Sequence, residues 1–147
     1  MITDQREQLR KFYCDSWAKH LKQQEELSPL EQQIAAVVKE HPEYHKLLEN
    51  EEASVNADYL PEMGDSNPFL HLGMHLGLRE QVSTDRPAGI AELYQGLVAL
   101  KGIHDAEHEM IECLAEAIWQ SQQNQTAPDD ITYMDCLGKL LPTKKNS

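Results

Sequence analysis

Apolar residues recur at helical spacing along nearly the whole chain, and this pattern limits the possible folds more than any other feature of the sequence. In the first segment they form one stripe: Leu9, Phe12, Tyr13, Trp17 and Leu21. Side chains three or four positions apart lie on one face of an α-helix. No run of β-branched residues alternates for long enough to predict a strand. The sequence therefore predicts an all-α protein.

Proline and capping residues divide this pattern into about six helices. Ser28-Pro29-Leu30-Glu31 combines a capping box with a proline at the first helical position, and Asn67-Pro68 predicts a second start of this kind. Asp85-Arg86-Pro87 predicts a third start, whereas the polar stretch 50–66 predicts a loop. We expect a compact bundle whose central element is the apolar helix near 68–83.

Length and charge set the broad class of protein. The 147 residues fit a single helical domain, 1–147, with a short disordered tail from about 142. The polar N-terminus has no apolar signal-peptide core, and no apolar run reaches the ~20 residues of a membrane span, so we expect a cytoplasmic protein. A net charge of −12 disfavours nucleic acid and anionic membranes as partners.

The cysteines predict no cross-link. Cys14, Cys113 and Cys136 are odd in number and far apart, and none is in a Cys-x-x-Cys spacing. Neither a disulfide framework nor a thiolate zinc site is expected from such spacing. We expect three reduced, mostly buried thiols.

Six of the seven histidines form pairs spaced by four residues: His41/His45, His71/His75 and His104/His108. Seven histidines placed at random would give roughly 0.3 pairs at this helix-neighbour spacing. Both central pairs are expected to face the core, because they share helix stripes with apolar residues: Leu78 and Val82 for the first, Ile111 and Ala115 for the second.

Two imidazoles on one helix face can converge on one ion at the ~2.0–2.1 Å of a zinc–nitrogen bond. We therefore predict a divalent-metal site, for iron or zinc, built from the central pairs and two further candidates: His71, His75, His104, His108, His45 and Glu112. His41 is interpreted as the cap before Pro42, and His20 as a surface or core-edge residue. Zinc-dependent hydrolysis and iron-based oxygen or redox sensing both stay open, and so does whether the protein is an enzyme.

A metal-free function is the main alternative. Buried histidines can bond to carboxylates, to carbonyls and to one another. The acidic chain would then be an interaction module that binds a basic protein partner or a second copy of itself. A pH-responsive switch is a third possibility, because clustered histidines titrate near neutrality.

The histidine-bearing segments also carry a family resemblance. They are His41-Pro-Glu-Tyr-His45, Asn67-Pro-Phe-Leu-His-Leu-Gly-Met-His75 and His104-Asp-Ala-Glu-His108. Together they resemble a family of short bacterial proteins catalogued as a domain of unknown function, over most of the chain. A looser similarity is to hemerythrin-like and DinB-like bundles, which implies histidines from several helices around a metal. In the hemerythrin pattern, a histidine on one helix is followed four residues later by a glutamate. In this sequence His71 is followed at that position by a second histidine, His75.

Overall fold

The computed structural model describes residues 5–22, 26–57 and 67–142. These residues contain eight α-helices and no strand: α1 (Gln5–Lys22), α2 (Pro29–Lys39), α3 (His45–Glu49), α4 (Glu51–Asn56), α5 (Pro68–Thr84), α6 (Ile90–Lys101), α7 (Ile103–Asn124) and α8 (Asp130–Gly138). A short 3-10 helix at Pro42–Tyr44 precedes α3. The all-α class is confirmed, and the predicted number of about six helices was too low.

The chain divides into two compact units, residues 1–76 and 77–147. The division falls inside α5, so the first half of that helix belongs to the first unit and the second half to the second. None of the described helices is long and apolar enough to cross a lipid bilayer. The predicted tail from about 142 lies outside the described residues except for Pro142 itself, and the single-domain organisation stays a prediction.

The first unit is built around α1, which packs against α2, α3 and α4. Its core is apolar and aromatic: Tyr13, Cys14, Trp17, Ile34, Ala35, Val37, Val38, Leu48, Phe69 and Leu72. The predicted start of α2 is confirmed, because the Ser28 hydroxyl accepts the Glu31 N–H at 3.2 Å and the Glu31 carboxylate accepts the Ser28 N–H at 2.9 Å. This reciprocal bonding satisfies two backbone donors that the first turn leaves unpaired.

α4 lies where the sequence predicted a loop. The Asn50 side chain caps it by accepting the Ala53 N–H at 3.3 Å. At its other end the buried Arg10 guanidinium donates to the carbonyls of Val55 and Ala57, at 3.1 and 2.7 Å. Carbonyls at a helix C-terminus have no partner within the helix, and this cation supplies one. The predicted loop was therefore wrong for residues 51–56. The partner of the helix end, Arg10, is more than 40 residues away in the sequence, so no local pattern indicates this helix. Residues 58–66 of the predicted loop lie outside the described residues.

The second unit contains α6, α7 and α8, which pack against one another. Its buried apolar side chains are Leu78, Ile90, Leu97, Ala106, Met110, Ile111, Cys113, Ala117, Tyr133 and Leu137. Glu107 is also buried there, with 1% of its surface exposed. The Arg79 guanidinium donates to both Glu107 oxygens, with its Nε 2.9 Å from Oε2, and the Tyr94 hydroxyl donates to the same carboxylate. The carboxylate thus links α5, α6 and α7.

The predicted start of α6 was wrong by a few residues, because the helix begins at Ile90 and not at Asp85-Arg86-Pro87. The Asp85 carboxylate accepts the N–H groups of Gly89 and Ala91 at 3.1 and 3.0 Å, so it caps the helix across a turn. Gly89 has a φ of 97°, a left-handed conformation that glycine adopts without steric cost.

A disulfide joins Cys113 of α7 to Cys136 of α8, with a Cα–Cα distance of 5.8 Å. The expectation of reduced thiols was therefore wrong for these two residues, whereas Cys14 is free and buried as expected. Their sequence separation of 23 gave no recognisable motif. Only the packing of α8 against α7 brings the two side chains together.

We expect the Glu107 network to contribute strongly to stability. Replacing Glu107 with Gln should lower the free energy of unfolding by roughly 3 kcal/mol, at the lower end for a broken buried ion pair. The lower end applies because the Arg79 side chain is 26% exposed and can be partly hydrated. Tyr94→Phe removes one hydrogen bond to the carboxylate and should cost about 1.5 kcal/mol. Urea unfolding measures both, and a Glu107→Gln variant as stable as the wild type would contradict the assignment.

The disulfide predicts a specific pattern of thiol labelling. When the protein is unfolded without reductant, alkylation should modify Cys14 alone, and a non-reduced digest should contain the peptide pair that carries Cys113 and Cys136. Reduction should then destabilise the fold by about 3 kcal/mol, since opening a loop of this length restores chain entropy to the unfolded state. Alkylation of all three cysteines before reduction would show that the cross-link is absent.

Candidate metal centre

The break between α2 and α3 determines where the His41 ring lies. Pro42 has no N–H and disfavours helical geometry in the residue before it, and His41 has φ −124° and ψ 71°. The ring turns back along α2, where its Nδ1 donates to the Val37 carbonyl at 2.7 Å. A carbonyl only accepts, so the proton is on Nδ1 and the neutral ring has its lone pair on Nε2. A backbone carbonyl orients many metal-binding histidines in this way.

His71 and His75 come from successive turns of α5. The Asn67 side chain caps this helix by accepting the N–H groups of Phe69 and Leu70 at 3.0 and 3.2 Å. Residues four apart lie on one helix face, and the two imidazoles meet there with their Nε2 atoms 3.2 Å apart. Their ring centroids are 4.8 Å apart. The two imidazoles of this pair therefore converge on one face of α5, as predicted.

His41 joins this pair and completes a three-histidine cluster, which we define as His41, His71 and His75. The His41 ring centroid is 5.1 Å from that of His71 and 4.7 Å from that of His75. The nitrogens that the three rings offer lie within 4.8 Å of one another. Two of the rings are almost fully enclosed, since His41 is 1% and His75 2% exposed, whereas His71 is half-buried.

Tyr44 forms one wall of the three-histidine cluster. Its ring is nearly parallel to that of His41, with centroids 5.6 Å apart, and meets His71 edge-on at 6.1 Å. Burial raises the pKa of the Tyr44 phenol, with a smaller contribution from the Glu43 carboxylate. The phenol is therefore protonated at neutral pH, so the wall has no charge of its own.

The spacing of the two α5 nitrogens suits a common ion. At metal–nitrogen distances of ~2.0–2.1 Å, a tetrahedral angle separates two ligand atoms by roughly 3.3 Å, and a right angle by roughly 2.9 Å. The observed 3.2 Å lies between these values. The His71 and His75 rings could therefore bind one ion with little adjustment.

The structure does not bring His45 into the three-histidine cluster. Its ring packs against Trp17, with centroids 4.5 Å apart, and its Nε2 donates to the Val38 carbonyl at 2.8 Å. His41 and His45 therefore bond to successive carbonyls at the end of α2 but face different surroundings. His20 packs on Trp17 too, with centroids 5.1 Å apart.

The other predicted ligands belong to α7 in the second unit. His104 and His108 are neighbours there, with ring centroids 4.3 Å apart, and His108 Nδ1 donates to the His104 carbonyl at 2.7 Å. His104 and Glu112 are exposed and His108 is half-buried. A metal-binding role for these three residues stays a prediction.

The prediction that His104 faces the core was wrong, because this residue is exposed on α7. The buried residues of the helix are Ala106, Glu107, Met110, Ile111, Cys113 and Ala117, most of which lie on the side opposite His104. Ile111 lies near the edge of this buried face, so the stripe chosen from the sequence was rotated away from the true one. Cys113, in the disulfide, and Glu107, in the ion pair with Arg79, both belong to the buried residues of α7, and neither interaction was predicted from the sequence.

His41 is the residue that the sequence prediction left out of the site. The available signal was its place in a His-x-x-x-His pair, but Pro42 suggested that it was only a helix cap. It is a cap, and the same irregular backbone directs its ring toward α5. The second member of the pair, His45, was the one chosen as a ligand because it lies inside a helix.

Comparisons with known proteins give a family and no activity. No curated protein and no solved structure matches the chain. One family matches, over residues 5–139, and its description is "Domain of unknown function (DUF1841)". Because the match covers nearly all of the 147 residues, the chain belongs to the DUF1841 family of domains of unknown function.

Proposed function

We propose that this protein binds a divalent metal ion through His41, His71 and His75. The observation that carries the proposal is the 3.2 Å separation of the His71 and His75 Nε2 atoms, with a third imidazole beside them. The Nδ1 bond of His41 to the Val37 carbonyl supports it, because that bond keeps the proton on Nδ1 and so places the lone pair of the neutral ring on Nε2, the nitrogen that an ion would bind. Membership of the family does not indicate an activity, because the family is described only as a domain of unknown function.

The donor atoms favour a borderline metal. Imidazole nitrogen suits zinc, copper, iron and nickel, whereas magnesium and calcium prefer oxygen. Iron or zinc therefore stays the proposed ion. Zinc with an open position would support hydrolysis, and iron would support oxygen binding or redox sensing. The sequence-based candidates His45, His104, His108 and Glu112 are retained as residues to test. The looser similarity to hemerythrin-like bundles stays a prediction.

A metal-free role is the second candidate, and one observation favours it. The same 3.2 Å separation allows one Nε2–H to donate to the other Nε2, which pairs these two nitrogens without an ion. The three-histidine cluster would then be a hydrogen-bonded part of the fold. The chain, with its net charge of −12, would act through its surface on a basic partner. Metal content separates the two candidates.

Loss of either enclosed imidazole should abolish tight metal binding. His41→Ala and His75→Ala should each weaken the affinity for Zn(II) or Fe(II) by more than the 10–100-fold typical of losing an outer-shell partner. Elemental analysis after dialysis against the metal measures occupancy. The wild type should contain one ion or more per chain, and circular dichroism of the metal-free variants checks that they fold.

His20→Ala is the matched control, because it removes an imidazole that packs on Trp17 outside the three-histidine cluster. It should bind metal as the wild type does. Metal at 100 times the wild-type dissociation constant should also stabilise the wild type by about 2.7 kcal/mol, and the two cluster variants by less than about 0.4 kcal/mol. Equal metal content in wild type, His41→Ala and His75→Ala would refute the assignment of these ligands.

Tyr44 should matter for its ring and not for its hydroxyl. Tyr44→Phe keeps the surface that packs parallel to His41, so we expect metal affinity close to that of the wild type. Tyr44→Ala removes this wall and should lower the affinity by about tenfold, as expected when the support of a ligand is lost. Competition with a chromophoric chelator measures both values. Equally weak binding by Tyr44→Phe and Tyr44→Ala would show that the phenol itself takes part.

A further inference from the structure

We propose that a cavity in the first unit binds a small organic cation, a primary alkylammonium ion with a short apolar chain. The cavity lies where α1 faces the junction of α3 and α4. It contains no member of the three-histidine cluster, so the inference goes beyond the proposed function and does not depend on a bound metal. It follows from the apolar floor of the cavity, from the carboxylates at its rim and from its size.

The floor of the cavity is apolar. Cys14, Trp17 and Leu48 line it, and each of them is only 2% or 3% exposed. Ala18 and Leu21, which are exposed, form its side along α1. An alkyl group that covers such a floor gains free energy, because apolar surface on both partners is removed from water. The floor therefore favours a ligand with an apolar part.

The rim of the cavity is acidic. Asp15, Glu49 and Glu51 line it as well, and all three are exposed. The Trp17 indole Nε1–H donates to Glu49 Oε2 at 3.3 Å, which holds this carboxylate beside the floor. Among the described residues, neither Asp15 nor Glu51 has its carboxylate in an ion pair, and no lysine or arginine lines the cavity. A cation bound here would supply the missing partner of these carboxylates.

The Cys14 thiol shows that the charge of the rim reaches the floor. Burial raises the pKa of this thiol most, and the carboxylates of Glu51 and Asp15 raise it further, against the opposing effect of a hydrogen bond with Ser54. A negative potential that disfavours a thiolate favours a cation at the same place. The net charge of −12 also raises the concentration of cations near the protein.

The size of the cavity limits the ligand. Its volume is about 160 Å³. Since a water molecule takes up about 30 Å³ of the liquid, this space holds roughly five non-hydrogen atoms. n-Butylammonium is a cation of this size, and its chain can cover the floor while its ammonium group stays at the rim. An inorganic cation would interact with the rim alone and leave the apolar floor in contact with water.

Titration of the full chain with n-butylammonium, followed by NMR of the tryptophan indole N–H groups, tests the inference. Of the two tryptophans, Trp17 lines the cavity, whereas Trp119 lies on α7, is 56% exposed and serves as an internal control. We expect the Trp17 signal alone to shift, and to saturate at one cation per chain in the roughly millimolar range. The affinity should rise roughly fourfold for each methylene group from methylammonium to butylammonium. Uncharged 1-butanol should bind roughly tenfold more weakly than butylammonium.

Substitutions separate the rim from the floor. Asp15→Asn and Glu51→Gln should each weaken butylammonium binding about threefold, as expected for the loss of one exposed charge. Glu26→Gln is the matched control, because it removes the same charge from an exposed residue that does not line the cavity. Ala18→Leu places a larger side chain at the cavity wall and should block binding although all three carboxylates remain. Circular dichroism checks that each variant folds.

Three outcomes would overturn the inference: an affinity that does not rise with chain length, an Ala18→Leu variant that binds as the wild type does, or a Trp17 shift with magnesium as large as that with butylammonium. The last would show an acidic surface to which the apolar floor contributes nothing. Any of them would leave the metal-binding proposal standing, because the titration uses no zinc or iron and its readout lies outside the three-histidine cluster.

Discussion

The hydrogen bond from His41 Nδ1 to the Val37 carbonyl is the constraint on which the candidate centre depends. α2 must end at this point because Pro42 removes a backbone donor and biases His41 away from the helical region. The released residue then bonds back to the last turn of its own helix at 2.7 Å. One proline thus ends the helix, selects the tautomer of His41 and directs the ring toward α5.

The other two imidazoles depend on the position of α5 in the first unit. Asn67 sets where the helix begins, and Phe69 and Leu72 anchor it in the core. The Tyr13 hydroxyl of α1 lies beside Gly73 of α5, at 3.4 Å from the place where a Cβ would be, which is ordinary van der Waals contact. The apolar stripe of this helix predicts that it is central and that its His71/His75 pair faces inward. Regular helix geometry then suffices to place the two nitrogens near each other.

What the sequence predicted, and what it missed, follows from the range of each interaction. Helical periodicity and the cap at Ser28 are local, so the all-α class and the start of α2 were predictable. The cap of α4 by Arg10 and the Cys113–Cys136 disulfide join residues far apart in the chain. No local pattern encodes them. His41 was missed because its irregular backbone, and not a helix face, directs its ring.

X-ray absorption at the metal edge tests the central claim most directly. The protein would be loaded with one equivalent of zinc, and the ligand shell measured in wild type and in His75→Ala. We predict nitrogen scatterers at ~2.0–2.1 Å, with the outer-shell pattern of at least three imidazoles, and one imidazole fewer in the variant. A shell of oxygen alone, sulfur at the ~2.3 Å of a thiolate ligand, or identical spectra for both proteins would contradict a centre built on His41, His71 and His75.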